Sequence, residues 1–383
     1  MPQFPDDNAV MRRAIELARQ GLGAVEPNPP VGAVIVDDDL NLLGEGYHQQ
    51  FGGPHAEIHA LEQAGDKARR ATLFVTLEPC CHEGKTPPCS RAVIDAGLKR
   101  VVVAIGDPSE HVNGGGIREL RDAGIQVETG LLEQDASLLA APFIKLLTTG
   151  VPFVHAKWAM TLDGKIASRA RHSQWISNEK SREKVHELRG RMDAILVGAT
   201  TARLDDPLLT ARPSGPRTAT RIVIDRDLDL PMNSQLLNTA QEVPLLIATC
   251  ADAIEERGRV YSAMGAELIS IPFCDTRQQY LAVEELLKIL GQRQFTNVLI
   301  EGGGSLLGDF FDRRLIDAVH VFLAPKLLGG FSAVTPVGGG GLEQVPQIDQ
   351  FVTYHSQQLD DDVYCHGMLE ADWWREYREG DWD

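Results

Sequence analysis

His55 and Glu57 stand two positions apart in the tripeptide HAE, Cys80 follows Pro79, and Cys89 lies nine positions beyond Cys80. One imidazole and two thiolates make three zinc ligands and leave a fourth tetrahedral position for water, the arrangement of a catalytic site and not of a closed structural one. A cation held there lowers the pKa of its water toward neutrality. Glu57 is not needed as a ligand and is spaced to shuttle that water's proton. The competing reading is a closed structural site with Cys81 or His82 as fourth ligand. Adjacent residues of an extended segment point opposite ways, so Cys80 and Cys81 are badly placed to share one metal, and a closed site leaves Glu57 without a task. His48 and His59 draw no comparable argument and read as packing or surface histidines.

A second concentration of chemistry is NVLIEGGGSLLGDFF, an apolar strand running through three glycines into a helix. Such glycines let a phosphate approach the backbone, and the helix N-terminus supplies N–H groups and a favourable dipole. Tight strand–helix packing would call for the same glycines. Residues 151–383 hold no G-x-G-x-x-G fingerprint, and the glycine runs at 114–116, 302–304 and 338–341 all fail its spacing.

These residues need elements to position them. Asp6 to Asn8 can cap a helix whose apolar positions Val10, Met11, Ala14, Ile15, Leu17 and Ala18 recur at helical spacing. VGAVIV, ATLFVTLEP, RVVVAI and QVETG read as strands, alternating with helices at HAEIHALEQAG, SRAVIDAGL and near RELRDAG. The alternation predicts a sheet with helices on its faces. It pauses at KLLTTGVP, where Gly150 and Pro152 break the pattern, so a domain boundary is expected near 150. Beyond it FVHAKWAM, AILVG, RIVID, PLLIAT and NVLIEG read as strands and SNEKSREKVHELRG, EELLKIL and SLLGDFFDRR as helices of a second α/β unit. The tail WWREYREGDWD reads as a surface extension.

Composition narrows the functions. At 383 residues, with 43% hydrophobic and 24% charged, the chain should form two packed domains. A net charge of −17 disfavours tight binding to phosphate backbones, while local arginines can still hold one small phosphate. No run of about 18 apolar residues suggests a membrane span, and the N-terminus lacks the basic and apolar regions of a secretory signal, so a cytoplasmic protein is expected. Of six cysteines, Cys80, Cys81 and Cys89 crowd together while those at 250, 274 and 365 are scattered, which suits metal binding more than a disulfide framework.

The H-x-E then P-C order matches the pattern of zinc-dependent base deaminases. The second cysteine departs from the usual x-x spacing by the eight-residue insert CHEGKTPP. Together with PNPPVGAVIV and GGPHAEIHAL, the stretch VTLEPCCHEGKTPPC resembles the deaminase domain of the bifunctional riboflavin-biosynthesis family, in which diaminohydroxyphosphoribosylaminopyrimidine deaminase is fused to aminouracil phosphoribosyl reductase. The resemblance implies a cytidine-deaminase-like α/β domain over 1–149 with His55, Cys80 and Cys89 as Zn2+ ligands. Glu57 would pass protons to the ring nitrogen and leaving amine, and Asn28 would lie by the pyrimidine.

Downstream, KWAMTLDGKIA, SQWIS, LDDPLLTAR, IEGGGSLLGDF and APKLLGG follow the order of that family's reductase domain, whose fold is similar to dihydrofolate reductase. This implies an NADPH-dependent reductase over 150–383. Ala159, Trp175, Thr201, Asp205 and the turn of Gly303, Gly304, Ser305, Leu306, Leu307, Gly308 and Asp309 would contact NADPH. Ser173, Arg189, Leu209, Arg212 and Glu301 would contact substrate, Arg189 and Arg212 suiting the ribose phosphate because guanidinium forks bind it in pairs of charge-assisted bonds. Lys157 would sit near the ribose C1′ and polarise or protonate the group being reduced, and Arg226 would pair with the extra phosphate of NADPH.

On this reading the chain deaminates 2,5-diamino-6-ribosylamino-4(3H)-pyrimidinone 5′-phosphate and reduces the product's ribosyl chain to ribityl. A sheet edge or helix face exposed in the second half would invite pairing with a second copy. Two rivals remain at this level: a deaminase of another pyrimidine, nucleoside or nucleic-acid base joined to a reductase-like binding module, and a metal-stapled scaffold without chemistry.

Overall fold

The computed structural model describes residues 2–82, 87–109, 114–272, 283–346 and 350–379. Residues 83–86 of the insert, and Cys274, lie outside this set. The chain divides into two compact units, one running to Thr149 and including the segment from Glu376, the other spanning Gly150–Arg375.

The first unit is built on β1 (Gly32–Val36), β2 (Leu42–Tyr47), β3 (Thr72–Leu77), β4 (Arg100–Ile105) and β5 (Gln126–Thr129), in the order β2-β1-β3-β4-β5. β1 runs antiparallel to β2 and β3, whereas β3, β4 and β5 are parallel. Helix Asp7–Ala18 starts where Asp6 accepts the Ala9 amide, and it buries the six apolar residues of its periodic stripe. It lies so close to β1 that a Cβ on Gly32 would fall 1.9 Å from the Ala14 carbonyl oxygen. The other sheet face packs Ile35, Leu73, Val75, Val101 and Val103 with Ala56, Ala60 and Ala64 of helix Ala56–Ala64.

β2, with the sequence LLGEGY, is a strand that its composition does not advertise. Both its glycines are demanded by this packing: a Cβ on Gly44 would lie 2.2 Å from the Ala60 oxygen, and one on Gly46 2.5 Å from His59 Cβ. The absence of side chains that weakens the strand pattern is what lets the helix approach.

The second unit contains β6 (Phe153–Thr161), β7 (Ala194–Gly198), β8 (Thr220–Ile224), β9 (Leu245–Thr249), β10 (Glu267–Ser270), β11 (Asn297–Glu301), β12 (Ala318–Ala324), β13 (Phe351–Leu359) and β14 (Asp362–Leu369). Their order is β10-β9-β8-β7-β11-β6-β12-β14-β13. All neighbours from β10 through β12 are parallel, which requires the helical crossovers, and β14 and β13 close the edge as an antiparallel pair. Two apolar clusters cover the sheet faces, one including Ile195, Val223 and Leu299, the other Leu196, Ile222 and Ile300. Helix Glu133–Thr149 precedes this unit and stops at Gly150, which takes φ +72°.

The tail is not the surface extension expected from its charges. Asp372–Glu379 is a helix in which Trp374 is wholly buried and Tyr377 nearly so, while Trp373 Nε1 donates to Asp317 at 2.8 Å. Among the described residues no helix is long and apolar enough to cross a membrane.

Candidate active sites in the two units

In the first unit two helices begin at one point. His55 is the N-cap of helix Ala56–Ala64, and Cys89 is the first residue of helix Cys89–Asp95. Cys80 reaches them from the segment after β3, which is anchored by the buried Glu78. That carboxylate accepts the amides of Asp107 (3.2 Å), Gly114 (3.2 Å) and Ile117 (3.1 Å). His55 Nδ1 lies 3.2 Å from Cys89 Sγ and 3.6 Å from Cys80 Sγ, and the three donor atoms fall within 4.8 Å of one another. Zinc bonds of about 2.0 Å to nitrogen and 2.3 Å to sulfur put tetrahedral donors about 3.5 Å apart, so the residues fit this metal.

The Cys89 amide also donates to Cys80 Sγ at 3.4 Å, a helix N-terminus favouring a thiolate. The contact between the two sulfurs draws the Cys80 thiol down and, with burial, pushes Cys89 up. A divalent cation would replace the shared proton and let both ionise. Glu57 sits in the first helical turn with only 3% of its surface exposed, and burial pushes its carboxyl up to about 7.

Cys81 does not join the cluster of donor atoms. Its Sγ faces Gly115, where a Cβ would fall 2.7 Å away, and burial raises its thiol. Cys81→Ala should therefore keep zinc and keep ammonia release within about threefold of the parent, as expected for a truncation away from the donors. Loss of metal in that variant would restore the closed structural site.

Asn28 is held by a residue with no sequence signal of its own. His48 is buried and its Nδ1 donates to the Pro54 carbonyl at 3.1 Å, which leaves Nε2 to accept from Asn28 Nδ2 at 3.3 Å. Burial lowers its pKa and keeps the ring neutral, and it packs edge-on to His55 with centroids 5.2 Å apart. A lone histidine between two motifs gives no hint of this; only the fold brings residue 48 to residue 28.

In the second unit the candidate residues gather at the C-terminal ends of the adjacent strands β7, β11 and β6, the edge of an open parallel sheet at which ligands bind. Lys157 on β6 is in register with Glu301, the last residue of β11. Arg189, ending helix Glu179–Arg189, grips Glu301 through two bonds of 2.6 and 2.8 Å, and Lys157 Nζ stands 3.7 Å from the same carboxylate. Burial alone would raise Glu301, but Arg189 and Lys157 hold it down at about 2. Burial lowers Lys157. Arg189 and His186 also converge on the Thr210 carbonyl, beside the buried Leu209, which takes φ +53°. Arg212 is exposed and donates to Thr210 Oγ1 at 3.0 Å.

The glycine turn after β11 meets the start of helix Ala199–Asp205. Gly302 and Gly303 take φ +64° and +82°, and a Cβ on Gly303 would lie 3.1 Å from Thr201 Oγ1. Gly304 and Gly308 instead answer to packing, because Cβ atoms there would fall 2.4 Å from the Thr335 oxygen and 2.3 Å from the Gly338 carbonyl carbon. Packing thus accounts for Gly304 and Gly308, while Gly302 and Gly303 are set by their left-handed backbone. Leu306 and Leu307 are core residues, so only their backbone faces the turn, whereas Ser305 is exposed. Asp309 is engaged by Arg313 Nε at 3.1 Å.

Ser173 Oγ donates to Asp205 at 3.1 Å, and Ala159 lies two residues beyond Lys157 on β6. Trp175 is two-thirds exposed, with the Arg182 guanidinium 5.0 Å over its ring. Arg226 is half-exposed after β8, which β7 separates from β11, and its nearest acidic partner is Asp227 at 3.9 Å. A glycine turn opening a helix can bring backbone N–H groups to a dinucleotide's phosphates.

Fold and donor set define the class: a zinc-dependent deaminase unit followed by a nucleotide-dependent reductase unit. Residues 5–105 match the cytidine and deoxycytidylate deaminase zinc-binding region, and residues 152–365 match the RibD C-terminal domain. The riboflavin biosynthesis protein RibD of Synechocystis is 40% identical over 95% of this chain and 96% of its own, and that of Actinobacillus pleuropneumoniae 39% identical over 92% and 93%. The crystal structure of a diaminohydroxyphosphoribosylaminopyrimidine deaminase/5-amino-6-(5-phosphoribosylamino)uracil reductase from Thermotoga maritima superposes with a TM-score of 0.82 at 37% identity, covering 95% of this chain and 98% of its own. The chain belongs to the RibD family of bifunctional deaminase–reductases of riboflavin biosynthesis.

Proposed function

We propose that residues 1–149 hydrolyse the exocyclic amine of 2,5-diamino-6-ribosylamino-4(3H)-pyrimidinone 5′-phosphate and that residues 150–383 reduce the ribosyl side chain of the resulting 5-amino-6-(5-phosphoribosylamino)uracil to ribityl. The observation that carries the first step is the triangle of His55 Nδ1, Cys80 Sγ and Cys89 Sγ with the buried Glu57 beside it. Zinc, when bound, supplies the Lewis acidity that makes water nucleophilic near neutral pH. Glu57 takes one proton from that water and delivers it to the ring nitrogen, then carries the second proton, from the hydroxyl added to the ring carbon, to the amine as the C–N bond breaks and the carbonyl forms, so water is consumed and ammonia released. Asn28, its amide nitrogen committed to His48, offers its carboxamide oxygen to the pyrimidine.

NADPH, when bound, supplies the reducing equivalent. Its phosphates would lie at the turn of Gly303, Gly304, Ser305, Leu306, Leu307, Gly308 and Asp309, with Ala159, Trp175, Thr201 and Asp205 along the remainder and Arg226 at the extra phosphate. Arg189 and Arg212 hold the substrate phosphate, with Ser173, Leu209 and Glu301 completing the pocket. Lys157 gives a proton to the group being reduced; an ammonium lowered by burial is a better donor near neutral pH than an exposed lysine.

The charge of −17 favours small-molecule substrates over nucleic acid. Free thiols at the metal site suit the reducing cytoplasm. β13, exposed along most of its length, offers an open edge to a second copy. Ammonia release measured from the diaminopyrimidine phosphate and from cytidine tests the substrate assignment. Turnover is expected with the first alone, and equal or faster release from cytidine would replace this reading with a nucleoside deaminase.

A further inference from the structure

Two side chains that take no part in the chemistry above tie together three segments around the reductase site. The first segment is the turn 161–165 after β6; the second, 173–177, carries Ser173 and Trp175; the third, 325–330, leaves β12. Asp163 accepts from Thr161 Oγ1 and the Leu328 amide (3.2 Å) at one oxygen and from the Gly329 amide (2.6 Å) at the other. Lys326 Nζ donates to the carbonyls of Trp175 and Ile176, at 2.7 Å each, and its own carbonyl accepts from Leu162 N at 3.0 Å.

The ties serve a backbone need. Gly329 and Gly330 take φ +62° and +85°, so the third segment cannot continue as a ladder strand, and consecutive amides are turned onto one carboxylate. Thr161 and those amides hold Asp163 down at about 2, so it remains ionised at any working pH. Around the ties is an unusual surface: Trp175, Leu162, Leu327 and Phe331 are all more than half exposed. Trp175 is nonetheless fixed, by Lys326 at its carbonyl and Arg182 over its ring. Apolar groups held rigid yet uncovered have met their ordering cost before a ligand arrives.

We propose that Asp163 and Lys326 are positioning residues that hold the Trp175 segment and the segment after β12 ready for NADPH. This rests on the reading of Ala159 and Trp175 as cofactor contacts. Lys326 is exposed, so Lys326→Met removes the donors without disturbing a core.

The test uses full-length Lys326→Met, Lys326→Arg and Asp163→Asn, with NADPH affinity by titration calorimetry, steady-state NADPH oxidation, and hydrogen exchange at residues 173–177 and 328–329. Kd and KM for NADPH should rise about tenfold or more in the Met and Asn variants, as for loss of charge-assisted bonds. KM for the pyrimidine should move much less, exchange in both segments should quicken, and Lys326→Arg should recover most of the affinity. Ammonia release, from the other unit, is the internal control. NADPH affinity and KM within twofold of the parent in both Met and Asn variants would overturn the proposal alone. A parent protein that does not bind NADPH would overturn it together with the cofactor reading.

Discussion

Glu57→Gln should retain its zinc and lose deamination by roughly 10³-fold or more, while Cys89→Ser should lose metal and activity together. The contrast follows from where the two side chains lie. Cys89 supplies one of three donor atoms clustered within 4.8 Å, and its sulfur is tied to both Cys80 and His55. Glu57 is not in that set, yet it is buried in the first turn of the helix that His55 caps, with no surface role to play. Glutamine keeps the shape and leaves the donors intact but can neither accept nor return a proton. Metal analysis alongside ammonia release separates the two variants. A Glu57→Gln protein as empty of zinc as Cys89→Ser would make Glu57 a ligand and remove the proton shuttle from the scheme.

Lys157→Ala should abolish NADPH oxidation and leave ammonia release within about twofold of the parent, since sites with no shared partners rarely couple. The substitution is informative because the fold should survive it. Glu301 keeps its two-point grip from Arg189 when the lysine is gone, so no buried charge is stranded. Removing Glu301 would be less clean, because Lys157 and Arg189 would then face each other without a carboxylate. Rates are to be measured with each reaction's own substrate, with the deaminated pyrimidine supplied directly for the reduction. Simultaneous loss of both activities in folded Lys157→Ala would point to a single shared centre.

How far each site can be read from the sequence depends on how locally it is made. The zinc donors sit in two short stretches, each at the start of a helix, so residue type and spacing nearly suffice. Lys157, Arg189 and Glu301 are spread over most of the second unit and meet only because β11 inserts beside β6 and helix Glu179–Arg189 ends over both. Ordered motifs point to them; spacing does not. His48 shows the limit plainly, being an ordinary histidine until β2 and the Pro54 carbonyl orient it. Among the elements, most apolar parallel strands are legible, though AVHVFLA and ELIS draw no reading above, and LLGEGY is hidden by the glycines its packing needs. FVTYHSQQL, polar on both faces at the sheet edge, carries little alternation. The tail misleads in the opposite sense, since acidic flanks mask the burial of Trp374.

One chain performs two separate steps in a fixed order, zinc-dependent deamination and then NADPH-dependent reduction. The most direct measurement supplies purified protein with the diaminopyrimidine phosphate and identifies products with NADPH present, with NADPH omitted, and after zinc removal. With NADPH the ribityl aminouracil should form; without it ammonia should still be released and the ribosyl aminouracil accumulate; without zinc neither product should appear and NADPH should remain unoxidised. Ammonia release that depends on NADPH, or oxidation of NADPH by zinc-free protein given the undeaminated substrate, would contradict it.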